Sequence, residues 1–389
     1  MRRSLRIFPV LFAVIFIGLF MGCMSNDTRF EEMIDEVSLS EEYLSLLEDS
    51  AVYPGFSYIA VRSDRVLLQY SGGFASIGSE ETVGANTSFP VFSISKLITA
   101  LAILQLTERG EISLDDHVSN HIPGYPHALT IRSLLNHASG LPDPLWGSFY
   151  IHFTEEHAEV DRSALLQELG EKHPPTAYDP REESRYSNLG FAVLGQLIEA
   201  VSGTSYEDYV RQQIFAPLGL SADQAGFDPN EAGELATPYF HRNVLTRMLI
   251  RVMMSRNEFT SEGSWWGSRN DLFFDFPSHG GMIITTEGMR IIMQAMLRKD
   301  DRLLEASTWE LWLKENDLRG YHLGWKVGGS GSDRYLYHPG GAMGVAAELR
   351  MYPEKNLALF FVTNTLDSET VHTREIPNLS RYMIVHTGS

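Results

Sequence analysis

Ser93-Ile94-Ser95-Lys96, Tyr186-Ser187-Asn188 and His338-Pro339-Gly340 lie far apart in this chain, yet they form one chemical set. They supply a hydroxyl beside an amine, a phenol beside an amide, and a polar wall. A fold that uses them has to bring its early, middle and late thirds to one place. Only Lys96 among the lysines follows a serine by three residues, and only Asn188 among the asparagines follows a tyrosine by two. Together the motifs describe a serine acyl-transfer site.

The first motif has a mechanical logic. Phe89-Pro90-Val91-Phe92 reads as an extended approach, and from Ile94 to Arg109 an apolar helical pattern runs to a stop at Gly110. Ser93 then sits at a helix N-terminus, with Lys96 three positions on and on the same face. An apolar helix solvates a lysine poorly and favours its neutral, proton-accepting form. The free N–H groups of the helix start suit an oxyanion beside Ser93. A capping serine followed by a surface lysine would share the local pattern. Ser95 is the rival nucleophile, but adjacent helical positions do not face each other.

The second motif precedes a helix expected over residues 189–202, apolar at Phe191, Val193, Leu194, Leu197, Ile198 and Val201 and stopped by Gly203. In extended chain, Tyr186 and Asn188 point into one cleft. There Tyr186 acts as a proton shuttle if Lys96 favours phenolate or a shared proton, and Asn188 orients Lys96 and binds a substrate carbonyl. A packed tyrosine ring and a capping asparagine are the plainer alternative.

At this point the chain resembles the superfamily of penicillin-recognising serine hydrolases, which includes class C β-lactamases, DD-peptidases and family VIII esterases. The resemblance runs from about Ser50 to Asn364. Beyond the motifs it rests on Leu114-Asp115-Asp116-His117-Val118, Thr130-Ile131-Arg132-Ser133-Leu134-Leu135-Asn136-His137-Ala138-Ser139-Gly140-Leu141-Pro142, Phe215-Ala216-Pro217-Leu218-Gly219-Leu220 and Gly280-Gly281-Met282-Ile283-Ile284-Thr285-Thr286. It implies a serine hydrolase working through an acyl-enzyme, with Ser93, Lys96 and Tyr186 catalytic and Asn188, His338 and Gly340 positioning substrate. It also implies an oxyanion hole from the N–H groups of Ser93 and Gly341.

His-x-Gly occurs three times, so the third motif needs a choice. His386-Thr387-Gly388 has only Ser389 after it and no room for a neighbouring strand. His279 belongs to the Gly-Gly-Met-Ile-Ile-Thr-Thr segment. His338 ends a strand-like run over residues 334–337 and is followed by a Gly-rich turn and two more strand-like runs, 345–352 and 357–364. The β-lactamases usually carry lysine where this chain has His338, and threonine or serine where it has Pro339. Histidine is largely neutral at pH 7, and proline offers neither hydroxyl nor N–H. Ester or D-amino-acid peptide hydrolysis therefore ranks above β-lactam hydrolysis. A class C-like β-lactamase and a catalytically silent cell-wall-peptide binder on the same fold are the alternatives.

A chain of 389 residues with 43% hydrophobic content can bury a large core. Residues 56–61 and 65–70 read as a hairpin around Ser63-Asp64, and the strands after His322 read as the rest of its sheet. The expected fold is α+β: an antiparallel sheet flanked by terminal helices, with a mostly helical region inserted over 94–320 and the site at the junction. The hydrolase domain spans 50–389, after a tether and N-terminal helix over 23–49.

Arg2, Arg3 and Arg6 precede an uncharged apolar run from Ile7 to Met24, and Phe20-Met21-Gly22-Cys23 resembles a lipoprotein cleavage box. Residues 1–22 read as a signal segment, with Cys23 lipidated and the protein anchored to a bacterial envelope membrane. An uncleaved membrane anchor is the alternative. Cys23 is the only cysteine, so the folded domain has no disulfide.

Without residues 1–22, 28 basic residues face 50 acidic ones, a formal charge of −22 from the −19 of the whole chain. Nucleic acid is repelled by that balance. Arg242, Arg247, Arg251 and Arg256 interleave with apolar residues as a surface helix, or as a membrane-facing or lid segment. Trp265-Trp266 and Phe273-Phe274 either line an acyl pocket or simply pack. His117 and His121 lack the glutamate of a zinc-protease motif and run into Ile122-Pro123-Gly124, so neither a metal nor another cofactor is expected. His137 is expected to brace a turn.

Overall fold

The expected strands from the two ends of the domain meet in one sheet. The computed structural model describes residues 40–144, 151–153, 160–179, 185–243, 259–314, 320–367 and 370–386. Strands β1 (Gly55–Val61), β2 (Val66–Ser76) and β3 (Glu81–Thr82) join β4 (Tyr321–His322), β5 (Trp325–Gly328), β6 (Tyr335–Ala342), β7 (Val345–Tyr352) and β8 (Leu357–Thr363). Their spatial order is β4-β5-β6-β7-β8-β1-β2-β3, with antiparallel pairings. β1 lies against β8 from Phe56 opposite Thr363 to Val61 opposite Ala358, so the late strands complete a sheet begun by the early ones. The hairpin around Ser63-Asp64 forms, closed by Arg62 N–H donating to the Arg65 carbonyl at 2.9 Å. Its second strand runs on to Ser76, past the expected end at Tyr70.

Of the helices α1 (Ser40–Asp49), α2 (Ser95–Glu108), α3 (Asn188–Ser202), α4 (Thr286–Arg298) and α5 (Ile376–His386), α1, α4 and α5 pack on this sheet, while α2 and α3 pack on each other. β1 and β8 are buried along their whole length, as expected of central strands with both faces covered. Phe56, Tyr58, Leu359 and Phe361 pack with Tyr43, Leu44 and Leu47 of α1 and Ile376, Leu379 and Met383 of α5. The alternate residues Ile59, Val61, Phe360 and Val362 join the larger core, which holds α2, α3 and α4. The period of two along each strand thus assigns one face to the terminal helices and the other to the core that holds α2, α3 and α4. Buried Glu375 ties the terminal elements together, accepting from Tyr53 Oη at 2.7 Å and from Tyr43 Oη.

One expectation is corrected here. β6 does not stop at Tyr337; it continues through His338, Pro339, Gly340 and Gly341, and the chain turns only at Met343-Gly344, both at positive φ. His-Pro-Gly-Gly is therefore strand, paired with β7 from His338 opposite Leu349 to Gly341 opposite Ala346. The region between the sheet's two parts is mostly helical, as expected, and its described residues also form three small sheets. One of them pairs Ser88–Pro90, the approach to Ser93, with Ile283–Thr285.

Among the described residues no helix is long and apolar enough to cross a membrane. The signal segment, Cys23, Arg247, Arg251 and Arg256 lie outside the described residues. Arg242 is described, and its guanidinium stacks over Trp266 at 4.9 Å and donates to the Gly263 carbonyl. His386 ends α5, remote in sequence from any strand that could flank it.

Candidate active site

Ser93 owes its position to a sharp turn between strand and helix. After Ser88–Pro90 the backbone enters the left-handed region at Phe92, φ +44°, an unusual conformation for a bulky residue. A 3-10 turn over Phe92–Ile94 follows, and α2 proper starts at Ser95, one residue later than the apolar pattern suggests. Phe92, Ile94, Ser95 and Lys96 are buried, while Ser93 alone keeps partial exposure. Ser95 is occupied elsewhere. Its Oγ donates to the Phe92 carbonyl at 2.6 Å and accepts from Met282 N–H at 2.9 Å.

Lys96 is fully buried in the helix and reaches three oxygens. Its Nζ lies 3.3 Å from Ser93 Oγ, 2.7 Å from Asn188 Oδ1 and 2.5 Å from the His279 carbonyl. Burial lowers its pKa to about 7, opposed by the negative charge of Asp143. A large fraction of the amine is therefore neutral near pH 7. The His279 carbonyl is delivered by a 3-10 turn, Pro277–His279, clamped between two helices. Thr99 Oγ1 of α2 donates to the Ser278 carbonyl at 2.7 Å, and Ser278 Oγ donates to the Phe191 carbonyl of α3 at 2.9 Å. Gly195 permits that approach, since a Cβ there would stand 2.2 Å from Ser278 Oγ. The sequence assigns His279 to the Gly-Gly-Met-Ile-Ile-Thr-Thr segment and not to the third motif; its backbone oxygen is what meets Lys96.

Tyr186 and Asn188 converge on the same centre. Tyr186 Oη donates to Ser93 Oγ at 2.8 Å. Burial, with the nearby Tyr321 hydroxyl, holds the phenol well above its ordinary pKa, so it stays protonated and the phenolate considered from sequence is disfavoured. The helix cap is Ser187, whose Oγ accepts from Gly190 N–H at 3.2 Å; Asn188 is the first helical residue, not the cap. Asp143, absent from the sequence-derived set, accepts from Asn188 N–H at 3.2 Å and from Asn188 Nδ2 at 3.0 Å. Its position right after the Leu141-Pro142 end of a recognised segment was the available signal. His137 accepts at Nδ1 from Ser187 N–H at 3.1 Å, and its ring lies 4.4 Å from that of Tyr186. It braces the turn and the phenol alike.

His338 comes to the same region but presents no cation. It is fully buried, its Nδ1 lies 2.7 Å from the Pro339 carbonyl, and burial with nearby Lys96 lowers its pKa to about 3. Gly340 allows β6 to press on the nucleophile turn, because a Cβ there would stand 2.1 Å from the Val91 carbonyl oxygen. Gly341, next along the strand, is exposed. Phe274 packs edge-on against Phe92 at 5.9 Å, and Trp265 is buried in a three-stranded sheet. His117 precedes and His121 follows a 3-10 turn, and His121 pairs with Asp116 at 3.2 Å.

A serine, a buried lysine and a protonated tyrosine around one oxygen, on this sheet-and-helix frame, agree with the sequence comparison. A beta-lactamase family model matches residues 41–380. The chain belongs to the beta-lactamase family. Within it, the chain is 24% identical over 335 residues to penicillin-binding protein 4* of Bacillus subtilis, covering 84% of this chain and 71% of that one. It is also 24% identical to protein flp of Staphylococcus aureus (strain MRSA252), over 86% of this chain but only 63% of that relative's length. The fold superposes on the D-amino acid amidase from Ochrobactrum anthropi SV3, with a TM-score of 0.72 at 20% identity, covering 90% of this chain and 100% of the other. The octameric penicillin-binding protein homologue from Pyrococcus abyssi gives 0.67 at 20% identity, over 84% of this chain and 73% of that one. The fold is thus that of the penicillin-recognising serine hydrolases, in the expected α+β class.

Proposed function

We propose that this member of the beta-lactamase family is a cell-envelope serine hydrolase that cleaves an ester, or a D-amino-acid peptide or amide, through an acyl-enzyme. Ser93 Oγ attacks the carbonyl carbon while its proton passes to the neutral amine of Lys96. The N–H groups of Ser93 and Gly341 stabilise the oxyanion. As the tetrahedral intermediate collapses, the Tyr186 hydroxyl protonates the leaving oxygen or nitrogen and regains a proton from the Lys96 ammonium. Water then adds to the acyl group by the same proton path, and the acid leaves with Ser93 restored. Asn188 and the strand edge at His338 and Gly340 position the substrate. No step calls for a metal or another cofactor.

The observation that carries this reading is the buried Lys96, its pKa lowered to about 7 and its Nζ 3.3 Å from Ser93 Oγ. Neutral His338 and Pro339 favour esters and amides over β-lactams, whose carboxylate would meet no fixed cation there. The D-amino acid amidase and penicillin-binding relatives support the peptide and amide side of the proposal. Lipid attachment at Cys23 would hold the domain at the envelope membrane. Treatment with a fluorophosphonate or penicillin probe, read by intact mass and peptide mapping, tests the mechanism. One adduct on Ser93 with turnover of a small ester is expected. An adduct elsewhere would overturn the assignment of Ser93 as nucleophile, and binding without any acylation would favour the silent binding protein.

A further inference from the structure

We propose that Asp143 is the positioning residue that, through Asn188, aims the lone pair of Lys96 at Ser93. The inference rests on reading Ser93 and Lys96 as nucleophile and base. It starts from an ambiguity in any buried asparagine, whose amide can turn either its oxygen or its nitrogen toward a neighbour. A carboxylate only accepts hydrogen bonds. Asp143 takes Asn188 N–H on Oδ1 at 3.2 Å and Asn188 Nδ2 on Oδ2 at 3.0 Å. With the NH2 end committed to Asp143, the carbonyl end faces Lys96, 2.7 Å from Nζ. The carboxylate also sits beside the first N–H of α3, where a helix start favours negative charge.

The consequence lies in the geometry of a neutral amine, which has two N–H bonds and one lone pair. The two short contacts, Asn188 Oδ1 at 2.7 Å and the His279 carbonyl at 2.5 Å, take the two N–H bonds. The remaining direction, toward Ser93 Oγ at 3.3 Å, is left to the lone pair. That is the orientation a base needs. A flipped Asn188 amide would instead point N–H at Lys96 and compete with Ser93 for the same lone pair.

Asp143 also acts through its charge. The titratable groups around Lys96 are Asp143, Tyr186, His137, His279 and His338. Tyr186 is held protonated, and burial keeps all three histidines neutral, His279 and His338 at about 3 and His137 well below 6.5. Among the described residues, Asp143 is the one carboxylate that opposes the burial of Lys96. Removing its charge should therefore lower the Lys96 pKa further, even as it loosens the amide.

The test compares full-length wild type, Asp143→Asn and Asp143→Ala on nitrophenyl acetate, an uncharged ester, across neutral pH. Rates are expressed per active site titrated with a fluorophosphonate, which separates catalysis from misfolding. Asp143→Ala should lose about ten- to a hundredfold in kcat with little change in KM, the scale of a mispositioned catalytic group. Asp143→Asn should lose less, since its amide oxygen can still accept from Asn188 Nδ2. In both, the acid limb of kcat/KM should move to lower pH. Wild-type kcat per site with an unmoved acid limb in both variants would overturn the proposal, as would a loss seen only as fewer titratable sites. A defect in KM alone would make Asp143 a substrate-binding residue and overturn it too. If wild type neither labels at Ser93 nor cleaves any ester, the underlying reading fails and the role of Asp143 falls with it.

Discussion

The Tyr186 hydroxyl donates a 2.8 Å hydrogen bond to Ser93 Oγ, so in the resting site the phenol is a donor and not a base. In the proposed mechanism Lys96 removes the serine proton and Tyr186 returns a proton to the leaving group. Tyr186→Phe should then lower ester or amide turnover roughly a hundredfold or more, the usual scale for a lost proton-transfer group. Labelling of Ser93 by a fluorophosphonate, whose fluoride leaves without protonation, should suffer less. Parallel measurement of turnover and labelling checks this. Equal losses would place Tyr186 on the attack step.

Ser93 and Ser95 are separated by what each oxygen touches. Ser93→Ala should abolish both turnover and adduct formation. Ser95→Ala should keep the adduct on Ser93 but leave the buried Met282 N–H without its acceptor, at a cost of about 1–3 kcal/mol. A lowered Tm with residual activity is the expected pair of results. Loss of the adduct with unchanged Tm would reverse the assignment.

The pH profile should report Lys96. Its pKa is lowered by burial to about 7, and in the proposed mechanism the neutral amine is the active form, so kcat/KM for an uncharged ester should rise with pH through a single ionisation near 7. Below that value the ammonium holds the proton that Ser93 must give up. A histidine would ordinarily be suspected of a limb there, but His279 and His338 are pushed down to about 3. The profile should therefore keep its acid limb in His338→Gln. Disappearance of the limb in that variant would assign it to the histidine.

How much of this was legible in the sequence differs between elements. Ser93, Lys96, Tyr186 and Asn188 could be read because local rules link them pairwise: three residues along a helix, two along an extended segment. The sheet could be read from strand-like runs at the two ends of the domain, joined early by a turn at Ser63-Asp64. The extension of β6 through His338-Pro339-Gly340-Gly341 was hidden, since proline and two glycines ordinarily mark a turn. Here the glycines serve contact: Gly340 is small because the Val91 carbonyl lies against it. Asp143 and the His279 carbonyl were also hidden. Each meets the lysine's network through tertiary contacts, 45 residues separating Asp143 from Asn188 and 183 separating His279 from Lys96. A backbone oxygen, moreover, carries no signature in residue type.

Substrate choice follows from the same strand. Lysine and threonine at positions 338 and 339 would offer a fixed cation and a hydroxyl to a β-lactam carboxylate, whereas His338 is buried and neutral and Pro339 has no donor. Wild type should cleave nitrophenyl acetate or butyrate with a higher kcat/KM than a chromogenic cephalosporin. The double change His338→Lys with Pro339→Thr should move the ratio toward the cephalosporin. One charge-assisted hydrogen bond is worth about 1.5–3 kcal/mol, or roughly tenfold and more in relative rate. The new ammonium would also sit near Lys96 and lower its pKa, so the acid limb of ester hydrolysis should shift to lower pH in the same variant. Competitive assays with both substrates, run across that limb, measure both effects at once. A wild-type preference for the cephalosporin over every ester would reverse the ranking and make β-lactam hydrolysis the activity of this site.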